Sequence, residues 1–556
     1  MHKLLIIFSI LVLGLFFSAC NSSYQGGENT SAVDIPEEQP SARHLSTKNR
    51  TTEKNEMALE DYEYSVEEEE VPPGDIVTPG QNTEEYDEIK DNPFKSSKEN
   101  PLSTFSIDVD NAAYSNVRRY IEMSQLPPKG AVRIEEMINY FTYDYPQPTG
   151  AHPFSITTEI GQAPWNNDHQ LVHIGLQGKN LDYDNLKPSN LVFLIDASGS
   201  MSNQNKLPLL KKALTLLLDQ LDDKDNVAIV AYAGAAGLVL PSTPASQKST
   251  ILAALDQVNA GGSTAGGQGI QLAYQVAKEN LKKDGNNRVI LATDGDFNVG
   301  TSSTDALVEL IEEKRKDDIY LTICGFGMGN YKDGRMEQIS NAGNGNYFYI
   351  DNIREAEKVF VKEMRANMFT IAKDVKLQIE FNPNLVKAYR LIGYENRMLA
   401  KEDFDDDTKD AGELGAGHTV TAIYEIIPVG SKSSQEIASA SDLKYQKTTV
   451  TSNSNDLMTV KFRYKPPTSD KSTLLEQVLA KGASPSWEET SENFQFSASV
   501  AALGMILRDS EYKAKSTYDL ALTLAESGKG TDKEGYRTEF IQMIKTAKLL
   551  GTTTEK

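Results

Sequence analysis

Apolar and polar positions change rhythm three times along this chain, and each change marks a region. From residue 190 to about 365, short apolar runs rich in β-branched residues alternate with stretches of helical period. LVFLIDAS, NVAIVAYAG, GLVLPST, NRVILATDG, IYLTICGFG and GNYFYID read as strands. LPLLKKALTLLLDQL, STILAALDQVNA, GIQLAYQVAKENLKK, DALVELIEEKRKD and IREAEKVFVKEM read as helices. Strands that stay apolar throughout are covered on both faces, so the pattern predicts an α/β fold, a doubly wound and mostly parallel sheet, over 187–366.

The flanks have a different texture. TFSIDV reads as a strand, followed by Asn111 as the cap of a helix carrying Tyr114, Val117, Tyr120 and Ile121. A second short helix places Ile134, Met137, Ile138 and Phe141 on one face, and two strands follow, PFSITTEIGQAP and HQLVHIGLQG. Together these predict a small α+β domain over 92–186. Beyond it, over 367–556, VKLQIEFNP, KAYRLIGYE, VTAIYEIIP and LMTVKFRYKPP predict a β-rich domain, closed by the helices FSASVAALGMILRD and EFIQMIKTAKLL. The order allows the strands at 154–178 and those after 370 to build one sandwich, with the α/β domain inserted between them.

The first 91 residues predict an address rather than a fold. Lys3 precedes an apolar run from Leu4 to Phe17, then Ser18, Ala19 and Cys20, the layout of a secretory signal over 1–19. FSAC resembles the bacterial lipobox, which implies an acylated Cys20 and a membrane lipoprotein of the cell envelope. Asn21 is not an acidic retention signal, which points to the outer membrane. Residues 20–91 are polar and acidic, too poor in apolar side chains to offset the entropy of ordering, and predict a flexible tether. Cys324 has no cysteine left to pair with and sits in an apolar strand, as a buried thiol.

Charge narrows the partners. The 556 residues carry 56 Lys and Arg against 79 Asp and Glu, a formal net charge of −23. Binding of nucleic acid needs a basic face, so that class is set aside.

Candidate chemistry gathers where strands of the α/β region end. Asp196, Ser198 and Ser200 follow the first strand, Thr264 lies in AGGSTAGGQG, and Asp294 follows NRVILAT. Open α/β sheets bind ligands beyond the carboxyl ends of their strands. Hard oxygen donors suit Mg²⁺ or Mn²⁺, and Ca²⁺ less surely. The series DASGS, GGST and TDG resembles the metal-ion-dependent adhesion site of the von Willebrand factor type A family. That resemblance implies that Ser198 and Ser200 touch a divalent cation directly, with Thr264 direct or through water. Asp196 and Asp294 would act through water and by holding the hydroxyls. The cation would keep an open position for the Asp or Glu of a protein partner. PLSTFSIDVDNAAYSNVRRYI, RIEEMINYFTYDYP and RLIGYENRMLAKEDFDDDTKDAGELGAGHTVTAIYEI extend the resemblance to bacterial exported lipoproteins with this domain and two flanking ones. Such proteins are often labelled as related to calcium-activated chloride channel proteins, which reflects the shared domain and implies no pore. The implied function is binding, with no enzyme activity and no small-molecule substrate.

Other signals carry less. His169 and His173 share a strand face, but the sequence offers no third zinc ligand and no Glu base beside them. Asp108 and Asp110 fit a turn before a helix; the alternative is a Mg²⁺-dependent hydrolase or phosphotransferase built on them. The acidic run 403–407 reads as solvated surface, with weak calcium binding as the lesser reading. A structural envelope component with a purely stabilising metal is the third alternative.

Overall fold

A computed structural model describes residues 84–107, 110–182, 186–262, 266–295, 304–329, 331–437 and 454–554. Before the α/β region come β1 (Lys95–Ser96), β2 (Leu102–Ser106), α1 (Ala112–Glu122), α2 (Ile134–Asn139), β3 (Phe154–Ala163) and β4 (Asn166–Gly178). The α/β strands are β5 (Ser189–Asp196), β6 (Asn226–Tyr232), β7 (Ala236–Pro244), β8 (Asn286–Thr293), β9 (Ile319–Phe326) and β10 (Tyr347–Ile350). Its helices are α3 (Leu207–Leu218), α4 (Lys248–Gln257), α5 (Gly266–Glu279), α6 (Thr304–Arg315), α7 (Asp333–Ala342), α8 (Ile353–Glu357) and α9 (Met364–Met368). The chain then adds β11 (Thr370–Phe381), β12 (Val386–Ile392), β13 (Gly412–Gly415), β14 (Thr419–Pro428), β15 (Asp456–Lys465) and β16 (Thr473–Ala480). It closes with α10 (Glu492–Arg508), α11 (Tyr518–Ser527) and α12 (Tyr536–Thr554).

The α/β sheet has the order β10-β9-β8-β5-β6-β7, parallel except for β7 at one edge. Every residue of β5 is buried, which is why its sequence is apolar without a break from Leu191 to Ile195. Leu191, Phe193 and Ile195 pack into one core with α3 and α4, and Val192 and Leu194 into another with α5. The strand order turns back at β5, since β6 lies on one side of it and β8 on the other. Cys324 is buried in β9, and burial pushes its thiol pKa up.

The two flanks fold together. β3 and β4 join β14, β12 and β1 in one antiparallel sheet, with Tyr424 of β14 opposite Val172 of β4. A second sheet, β13-β11-β15-β16, takes β2 alongside β11. Val172, Ile174 and Leu176 face this second sheet across a core with Leu377, Ile379 and Phe462. Leu171 and Ile423 face the other way, onto α2 and α10–α12. The sandwich that the order of strands allows is therefore formed, with a helical layer on its outer face and the α/β region inserted between β4 and β11.

Two local expectations need correction. Asn111 stands at the start of α1, but its side chain makes no cap bond; Glu136 of α2 instead accepts the Ala113 N–H at 2.8 Å. The tether expected to reach residue 91 is packed from Glu84 onward. Arg119 donates twice to the Glu84 carboxylate at 2.9 and 2.8 Å, Tyr120 donates at 2.6 Å and the Gly329 N–H at 2.9 Å. The acidic run 403–407 is surface, as expected, with the Asp405 carboxylate exposed, and it also holds two cations. Lys376 donates to the carbonyls of Asp403 and Asp406, and Arg463 pairs with Asp405 at 3.0 Å. Among the described residues no helix is long and apolar enough to cross a membrane.

Candidate metal centre

β5 ends at Asp196 and its parallel neighbour β8 at Thr293, so Asp196 and Asp294 leave the sheet side by side at its turning point. Asp196 is fully buried. Its Oδ1 accepts the Ser198 N–H at 2.9 Å, while Oδ2 accepts the Tyr232 hydroxyl at 3.1 Å and the Thr293 hydroxyl at 3.2 Å. Burial pushes its carboxyl above the usual carboxylate range, the bonds from Ser198 pull it back, and Asp294 nearby adds to the rise. Both its oxygens hold protein groups in place, which is the work of a residue that orients ligands.

The hydroxyl oxygens of Ser198 and Ser200 lie 3.0 Å apart. Two ligands at right angles on an octahedral Mg²⁺, each about 2.1 Å from the ion, would be separated by about 3.0 Å. Two backbone bonds fasten the glycine loop to this turn: Gly199 N–H to Gly262 O at 3.1 Å, and Gly261 N–H to Ala197 O at 2.7 Å. Gly262 has φ +89°, a conformation that a side chain would strain.

Asp294 is also fully buried and carries an ammonium: Lys206 Nζ lies 2.7 Å from its Oδ2, with only 5% of the lysine side chain exposed. Lys206 stands directly before α3. Its stem runs past Gly327, where φ is +76° and a Cβ would overlap the lysine side chain. The donor set fits a hard divalent cation, with neutral hydroxyls in front and carboxylates behind. Among the described residues no group of three or more His, Cys, Asp or Glu is placed to hold a metal.

Of the residues expected from sequence, Asp196, Ser198, Ser200 and Asp294 come to one sheet edge. Thr264, Cys20 and Asp108 lie outside the described residues. Asp110 is elsewhere and occupied, its carboxylate accepting the Tyr347 N–H at 2.8 Å and meeting Arg397 at 3.4 Å. His169 and His173 share a face of β4 but have separate partners. His173 contacts Tyr145 at 2.6 Å and Ser497 at 3.1 Å, and His169 contacts Glu425 at 2.5 Å. Sequence reasoning missed Lys206, Tyr232 and Thr293. Lys206 carried a signal, a lysine at the head of the apolar helix LPLLKKALTLLL. Tyr232 carried another, since it ends the strand beside β5, directly opposite Asp196.

Residues 190–362 match the family model described as von Willebrand factor type A domain, and residues 80–173 the one described as von Willebrand factor. Residues 366–550 match the C-terminal model of uncharacterized protein YfbK. The chain is 43% identical over 480 residues to uncharacterized protein YfbK of Escherichia coli, covering 85% of this chain and 82% of that protein. The chain belongs to the YfbK family of von Willebrand factor type A proteins. A shorter likeness, 28% over 190 residues, links this family member to uncharacterized protein sll0103 of Synechocystis, over 34% of this chain and 44% of that one. Among solved structures, a von Willebrand factor type A protein from Catenulispora acidiphila aligns with 69% of this chain and 89% of its own. The identity is 16% and the TM-score 0.40. Membership of the YfbK family bears out the expected type A fold with flanking regions. It also carries the general role of type A domains as protein-interaction modules.

Proposed function

We propose that this protein binds an acidic protein partner through a divalent cation held at the β5–β8 edge, as a lipid-anchored component of the bacterial cell envelope. The observation that carries the reading is the 3.0 Å separation of the Ser198 and Ser200 hydroxyls in front of buried Asp196. Mg²⁺ suits that spacing, and Thr264 and Asp294 complete the donor set. Lys206 deepens the argument. Its charge cancels that of Asp294, so Asp196 alone opposes the cation and the centre keeps a net positive charge. A partner's Asp or Glu is the complementary ligand.

The anchor follows from the lipobox at Cys20, and the outer membrane from Asn21. Asp196→Ala is expected to abolish Mg²⁺ binding in a calorimetric titration and to release metal-dependent partners in a pull-down from envelope extract, with a cooperative melting curve retained at a lower midpoint, because three buried donors lose their acceptor. Equal Mg²⁺ binding by wild type and variant defeats the reading.

A further inference from the structure

A cleft of about 660 Å³ opens in the flanking sandwich, in a region that the metal centre does not use. Beside it four side chains form a relay. The Ser433 hydroxyl is 2.7 Å from His169 Nε2, and His169 Nδ1 is 2.5 Å from Glu425 Oε1. Arg390 donates to Glu425 Oε2 from Nε at 3.0 Å and from Nη2 at 2.8 Å. Sheet pairing builds the relay: Arg390 of β12 lies directly opposite Glu425 of β14, β4 supplies His169 from the other neighbour, and Ser433 follows β14.

We propose that Ser433, His169 and Glu425 form a hydrolytic site of the serine-nucleophile type. Its substrates are carboxylic esters whose alcohol portion is uncharged or cationic. A nucleophile bonded to a base, and the base to a group that orients it, is the arrangement such chemistry needs, whatever the order in sequence. An ionised carboxylate only accepts, so Glu425 fixes the proton on His169 Nδ1 and leaves the Nε2 lone pair for the Ser433 proton. The Gln435 N–H donates to Ser433 Oγ at 3.2 Å, so the hydroxyl's own proton is directed at the ring. A histidine that merely filled a buried position would not need a carboxylate locked by arginine on one side and a hydroxyl beside a cleft on the other.

Ser433 Oγ adds to the ester carbonyl carbon as its proton passes to His169 Nε2. The carbonyl–alkoxy bond then breaks, and the imidazolium returns that proton to the departing alcohol. Water, deprotonated by the same ring, cleaves the acyl-serine, releasing the carboxylic acid and restoring the hydroxyl. Glu425 stays ionised throughout. Lys432 lines the cleft as a donor for the developing oxyanion, while the Asn166 amide lies 3.3 Å from both ring nitrogens of His169. Asp168, Glu436 and Glu511 also line it and outnumber Lys432, so anionic substrates are repelled, while Phe94 and Tyr512 add an aromatic wall.

The full chain, treated with a fluorophosphonate probe and assayed with p-nitrophenyl acetate, decides the matter. The expected result is an adduct on the Ser433 peptide and ester turnover that EDTA does not change. Both are lost in Ser433→Ala, a half-buried loop substitution that leaves the core intact. Turnover falls at least ~100-fold in His169→Gln of unchanged melting temperature. Absence of a Ser433 adduct in the wild type, or undiminished turnover in Ser433→Ala, overturns the assignment. Because the readout is independent of metal, neither result bears on the cation site.

Discussion

Two buried carboxylates in this molecule each carry a cation, Asp294 with Lys206 in the α/β region and Glu425 with Arg390 in the sandwich, and they are built to different ends. Arg390 is a planar fork, doubly bonded to one oxygen of Glu425 and stacked 4.7 Å from the Tyr512 ring. Such a pair is locked and leaves the other carboxylate oxygen to hold His169. Lys206 is a single ammonium on a flexible stem that lies against a glycine. It neutralises Asp294 without fixing the rest of the site, where the Ser198 and Ser200 hydroxyls remain for a further ligand. A forked, doubly bonded pair suits the orientation of a ring; a single ammonium bond suits a socket that must accommodate an ion.

The largest expected effect separates the two pairs directly. Arg390→Met strands Glu425 without its cation and should cost about 3–5 kcal/mol in denaturant unfolding, with no recovery on adding Mg²⁺. Lys206→Met should lose a similar amount in EDTA yet regain most of it with Mg²⁺, because the ion replaces the missing charge. If Mg²⁺ restores both variants or neither, the contrast fails. Acid should next distinguish the regions. All six histidines lie outside residues 187–366. Burial pushes His173 down to about 3 and His418 down to about 4 from an ordinary 6.5, with Lys358 adding to the shift at His418. Both stay neutral in the fold, while the unfolded chain takes up protons below 6.5. Stability should therefore fall as pH drops from about 6.5 towards 4, with β4 and β14 losing hydrogen-exchange protection before β5 and β8. The smallest effect belongs to the acidic run: Asp405→Asn removes an ion pair whose carboxylate is 81% exposed and should change stability by less than about 0.5 kcal/mol.

These contrasts also explain what could be read in advance. DASGS packs three of the adhesion-site residues into five positions, and an unbroken apolar run into Asp196 reports a strand buried on both faces. Both are local facts, so the α/β region and most of its site were legible. The relay in the sandwich draws on residues 169, 390, 425 and 433, and only the pairing of β4, β14 and β12 brings them together. His169 in HQLVHIG says nothing of a glutamate more than two hundred residues away. Lys206 stands at the head of an apolar helix, but its burial against Asp294 depends on Gly327 after a different strand. β16 escaped for another reason: in STLLEQVLA the apolar residues Leu474, Leu475, Val478 and Leu479 recur at helical spacing, and only the partner strand β15 decides for extended backbone.

The insertion of the α/β region sets an order of events during synthesis. β3 and β4 emerge early as a hairpin, but the strand that covers β4, β14, is made only some 240 residues later. An antiparallel hairpin alone is marginal in water. The nascent chain must therefore carry an uncovered strand edge while the α/β region folds on its own from neighbouring segments. Truncation between the α/β region and β14 should leave a well-folded middle attached to an aggregation-prone beginning, so this chain depends on keeping the open edge of β4 soluble until its last third arrives.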